Sequence, residues 1–73
     1  MKPTQEEIES ARSSLRALAV VRYGEDLTDR LIGGTPMALL RVMAEDAIHD
    51  GDWREDEVAL VRHGLRVFRK AGQ

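Results

Sequence analysis

Glu45, Asp46, Asp50, Asp52 and Glu57 crowd one short stretch of the chain, and oxygen ligands at that density suit a hard divalent cation. Set against the calcium-loop pattern D-x-[DN]-x-[DN]-G-x5-E, residues 46–57 match four of the five fixed positions, with Asp46, Asp50, Gly51 and Glu57 in place. Trp53 takes the position where such loops carry an apolar residue. Ile48 stands where a ligand oxygen is required. A calcium ion takes about six to eight oxygens, so that substitution weakens the site considerably. The candidate ligands are Asp46, Asp50, Asp52 and Glu57, and a divalent cation is the one cofactor the pattern suggests.

The same residues have a simpler reading, which the sequence favours: a tight turn between two helices, with Gly51 as C-cap and Asp52 as N-cap. On that reading Glu45, Asp46 and Asp50 occupy the closing turns of a helix, where carboxylates oppose the dipole. Asp46 and Asp50 are also an i,i+4 like-charge pair. A cluster that local rules disfavour requires a cation nearby. The candidates are Arg22, Arg30 or Arg54 of this chain, an arginine of a partner, or a bound metal ion.

Met37-Ala38-Leu39-Leu40-Arg41-Val42-Met43-Ala44, leading into His49-Asp50-Gly51-Asp52-Trp53 and Glu57-Val58-Ala59-Leu60-Val61, resembles the helix–Asp-Gly turn–helix unit of TerB-like tellurite-resistance domains. The resemblance covers about residues 37–68, less than a full domain of that kind. It implies helix–turn–helix geometry with an acidic turn, in a family associated with membrane-linked stress complexes and metal binding. Asp50 and Glu57 are the positions it would carry over.

Other chemistry is sparse. His49 and His63 fall on polar helix faces, and no Ser or Thr beside a histidine sits in a nucleophile context such as G-x-S-x-G. Gly33-Gly34-Thr35 precedes a helix start, but the P-loop lysine is missing and capping explains the pattern. With so short a chain to enclose a pocket, no enzyme is expected. The basic end, Arg62, His63, Arg66, Arg69 and Lys70, suits a helix C-terminus. Nucleic-acid binding through it is a lesser alternative, because the acidic turn before that helix would repel phosphate. Trp53 is the residue best suited to a partner surface. Val20, Val21 and Val42 lie off the main apolar stripes of their helices and offer a second apolar surface, with Arg62 and Arg66 as charged partner contacts.

Four elements must position these residues. Thr4-Gln5-Glu6-Glu7 reads as a capping box opening a helix over 4–23, with Ile8, Ala11, Leu15, Leu18 and Ala19 on its buried stripe and Gly24 as its stop. Val20, Val21 and Tyr23 lie off the stripe, so its last turn is expected to be buried on more than one side. A short helix of one or two turns is expected over 25–32, with Leu27, Leu31 and Ile32 inward. Thr35-Pro36 opens a third helix, 36–50, whose apolar residues, Ile48 among them, cover half its circumference and call for two neighbours. Asp52-Trp53-Arg54-Glu55 reads as a second capping box, starting a last helix over 53–70 before the end frays. Gly64 lies between the two apolar stripes of that helix, where a missing side chain admits a close neighbour. The fold class is therefore all-α, a single small bundle of three main helices and one short one.

The totals agree. At 42% hydrophobic residues the chain is too apolar for disorder, and its aliphatic, alanine-rich core material suits helix packing. With 73 residues and no cysteine, it lacks the disulfide staple that small domains use, which favours self-association as a homodimer. No apolar run is long enough to span a membrane, and Met1 to Glu7 shows no signal-peptide core, so a cytoplasmic address is the default. The expected function is a small non-catalytic protein–protein interaction module, an adaptor, inhibitor or assembly factor.

Overall fold

Four helices follow one another with short connections: α1 (Gln5–Tyr23), α2 (Glu25–Gly34), α3 (Pro36–His49) and α4 (Glu55–Ala71). The computed structural model describes residues 2–72. Each helix packs on the next, and α4 closes back onto α1, so the core lies inside a ring of four. The all-α bundle expected from the sequence is the fold.

The helix starts at α1 and α3 are local chemistry. The Glu7 amide donates to Thr4 Oγ1 at 3.1 Å, and Glu7 Oε1 accepts from the Thr4 amide at 3.4 Å, which is the reciprocal capping box. At α3 the Ala38 amide donates to Thr35 Oγ1 at 3.1 Å, and Pro36 takes the first helical position. Between α1 and α2 the chain turns on Gly24 alone, at φ 87°, a region that a side chain would make costly. Its amide closes α1 on the Val20 carbonyl, while its carbonyl accepts from Thr28 and opens α2.

Three boundaries differ from expectation. α2 runs ten residues, to Gly34, rather than one or two turns. α3 stops at His49, and its cap is Asp50, whose amide donates to the Asp46 carbonyl at 2.8 Å. Gly51 is not the left-handed C-cap, since its φ is not positive. α4 starts at Glu55 rather than 53, with Arg54 and not Asp52 in the cap position, and it continues to Ala71, where Gly72 closes it instead of fraying.

Phe68, Leu15, Leu39, Leu40 and Met43 are the largest fully buried apolar side chains, with Ala11, Ala19, Val61 and Val67 packed among them. Gly64 does admit a close neighbour: a Cβ there would stand 3.1 Å from Leu40 Cδ2, so α3 and α4 approach through the missing side chain. The α1 stripe is as expected, with Ile8, Ala11, Leu15 and Ala19 buried. Its last turn is not enclosed, however, for Val21 is 84% exposed. Val21 lies on a side of that turn that no neighbouring helix covers. Ile48, placed by the sequence on the buried half of α3, is 80% exposed. α3 has its two neighbours, α2 and α4, but Ile48 lies beyond the edge of the second contact.

α2 holds the one surprise in the core. Thr28 is fully buried while Leu27 stays 42% exposed. Positions 28, 31 and 32 share a face at helical spacing, and packing between α1 and α3 selects that face over the one containing Leu27. The Thr28 hydroxyl has no hydrogen-bond partner there. A buried, unsatisfied hydroxyl costs about 1–3 kcal/mol. Thr28→Val keeps the shape and removes that group, so the variant should be more stable by about 1–2 kcal/mol, read as a rise in the urea midpoint at unchanged slope.

Candidate functional site

The acidic turn lies between α3 and α4, over residues 50–54. It is organised by the last two residues of α1. Arg22 reaches across the bundle to Glu57 in the first turn of α4, in a two-pronged pair: Nη2 donates to Oε1 at 2.9 Å and Nε to Oε2 at 3.2 Å. The same guanidinium lies over Trp53, its carbon 3.8 Å from the ring centre, and its Nη2 also reaches the Asp52 carbonyl at 3.4 Å. A planar cation is suited to all three contacts at once. Both charged side chains keep under a fifth of their surface exposed. Glu57 in turn accepts the Arg54 amide at 2.9 Å, and that bond sets the start of α4 at Glu55.

Tyr23 completes the junction by donating its hydroxyl to the Asp46 carboxylate of α3. Burial raises the Tyr23 pKa most, and the bond to the Asp46 anion raises it further. The Glu57 carboxyl is held below its ordinary range, first by the Arg22 guanidinium and then by the Arg54 amide. Asp50 turns inward on the loop itself: its Oδ1 accepts the Asp52 amide at 3.0 Å. The cation that the acidic cluster requires is thus Arg22. Arg54 is engaged with Asp56, at 3.1 Å on the surface.

The four predicted ligands are therefore dispersed: Glu57 faces Arg22, Asp46 faces Tyr23, Asp50 faces the loop, and the Asp52 residue is exposed. Among the described residues, no three His, Cys, Asp or Glu side chains gather where they could share an ion. His49 and His63 are exposed, as their helix faces predict.

Of the predicted partner contacts, Trp53, Arg62 and Arg66 do come together. They line a shallow groove along α4 with Glu55, Val58 and Ala59. Val20, Val21 and Val42 do not join them. A second, more apolar groove runs between α3 and α4, lined by Ala44, Ala47 and Ile48 on one wall and Val58, Arg62 and Leu65 on the other. Val58 and Arg62 belong to both, so one continuous surface extends from Trp53 to Ile48. Two alanines leave the second groove open where larger side chains would fill it. Ile48 was missed as a surface residue because it closes a broad apolar arc. Its place beside His49 in the last turn of α3 was the one available signal.

No family model, curated protein or solved structure matches this chain. The likeness of residues 37–68 to a TerB-like unit rests on its motif alone. No helix among the described residues is long and apolar enough to cross a membrane.

Two titrations test this junction. A carboxyl held below its ordinary value, near 4.5, stabilises the fold in full above that value, and the contribution is lost as pH falls through the lowered one. Arg22→Gln should therefore lower the melting temperature at neutral pH and shift the emission of Trp53, the one tryptophan. The difference in melting temperature should close in acid, once Glu57 is protonated in both proteins. Tyr23, the one tyrosine, should form tyrosinate only above its ordinary pKa of 10.0 while the fold persists. Asp46→Asn should bring that absorbance change to lower pH, though not back to the ordinary value, because burial remains.

Proposed function

We propose that this chain is a small, non-catalytic protein-interaction module that presents the outer face of α3 and α4, with the acidic turn at its edge, to a protein partner. The observation that carries the reading is Ile48, 80% exposed at the mouth of an apolar groove that the chain leaves unfilled. Single exposed aliphatic side chains are ordinary; one set beside an open groove of small residues is the layout of a contact patch with an anchor. Arg62 and Trp53 extend the patch with the residue types most often found at the centre of interfaces. The turn supports the reading as well, since Arg22 already neutralises Glu57 and stiffens Trp53, leaving a rigid surface that loses little entropy on binding. Adaptors, inhibitors and assembly factors are all compatible with such a surface.

The test is capture from nuclease-treated lysate of the source cells, comparing tagged wild-type chain with Ile48→Glu. A protein recovered in stoichiometric amount by the wild type, whether another chain or an untagged copy of this one, should be lost with the variant. Equal recovery by both, or recovery by neither, would refute the reading.

A further inference from the structure

We infer that the occupant of this face is a second copy of the chain, docked about a two-fold axis that passes between Val58 and Ala59 with the two α4 helices antiparallel. The inference rests on the interaction reading above and names its partner. Glu55, Val58, Arg62 and Leu65 recur at alternating spacings of four and three along α4, so they form one stripe. Glu55 and Arg62 are exposed, and among the described residues neither side chain has an ion-pair or hydrogen-bond partner. Two neighbouring pairs on α4 are engaged within the chain, Glu57 with Arg22 and Asp56 with Arg54.

Glu55 precedes Val58 by three residues and Arg62 follows it by four. Reversing the stripe about the midpoint of the two, between Val58 and Ala59, therefore sets Glu55 of each copy opposite Arg62 of the other, twice over. A parallel pairing would set like charge on like. Within one helix the two side chains are about 10 Å apart along the axis and cannot satisfy each other. The surface is also self-complementary in shape, as a two-fold interface must be, since it carries both a projecting side chain and a groove. Ile48 projects, and the α3–α4 groove offers about 300 Å³ to receive its counterpart. A standard interface takes roughly 800 Å² from each partner, about a sixth of the 4983 Å² this chain exposes. The outer faces of two helices out of four can supply that share.

The experiment is sedimentation equilibrium of the full chain over a wide concentration range, with helical content checked by circular dichroism. The wild type should dimerise reversibly. Ile48→Glu, Glu55→Arg and Arg62→Glu should each weaken the dimer at least tenfold. The chain carrying both Glu55→Arg and Arg62→Glu should regain most of that loss, because the crossed pairs re-form with reversed sign. A monomeric wild type that still captures another protein through Ile48 would overturn the second-copy inference and leave the interaction reading standing. A dimer indifferent to Ile48→Glu would overturn this inference, because the copies would then meet through another face. Failure of the double charge variant to recover, with its helices intact, would overturn the antiparallel two-fold. Should Glu55→Arg disturb the start of α4, Glu55→Gln with Arg62→Gln is the milder pair, and it should dimerise with less salt dependence than the wild type.

Discussion

Arg22 holds together a turn that local rules would otherwise push apart. Carboxylates at the end of α3 and the start of α4 repel one another, and those on α3 also oppose their own helix dipole. One guanidinium answers this by pairing with Glu57, lying over Trp53 and reaching the Asp52 carbonyl. Tyr23, the next residue, secures Asp46 on the opposite side. The C-terminal end of α1 is thereby tied to both helices of the α3–α4 hairpin. The same Glu57 carboxylate also accepts the Arg54 amide, so one side chain joins the Arg22 pair to the first turn of α4. By comparison the Arg16 pairs with Asp29 and Glu25, which link α1 to α2, are solvent-exposed and contribute little.

The hairpin fixed in this way has two unlike faces. Inside, Gly64 lets Leu40 approach α4, and Phe68 and Val61 fill the space beside it. Outside, Ala44 and Ala47 are too small to cover the seam between the helices, and Ile48 stands clear of it. A ring of four short helices has one interior, and the apolar arc of α3 is wider than the two contacts that interior allows. The excess becomes surface. It lies next to an α4 stripe on which Glu55 and Arg62, of opposite charge, flank a valine.

Residues 4–7 and 35–36 announced two helix starts correctly because a cap is a contract among residues within four positions of one another, whatever the rest of the chain does. The turn at 50–54 misled the same logic. Asp52 has the chemistry of an N-cap, but Asp50 takes the Asp52 amide for its own loop, and the helix begins two residues later than a cap at Asp52 requires. The apolar period on α2 was legible, yet Thr28 rather than Leu27 is buried, since the choice between adjacent faces depends on where α1 and α3 lie. The Ile48 assignment erred for a related reason: periodicity locates an apolar arc but does not say how much of it finds a neighbour.

The sequence by itself determined the all-α class, the order of the four helices, most of the buried stripes, the close approach at Gly64 and the need for a cation at the acidic turn. Each of these follows from interactions a few residues apart or from the period of one helix. Only the tertiary structure selected Arg22 over Arg30 and Arg54, joined Tyr23 to Asp46, and left Ile48 outside. The Arg22–Glu57 pair spans 35 residues of chain. At that separation the partner is chosen by how the helices pack, a collective outcome of the whole core that no local pattern encodes.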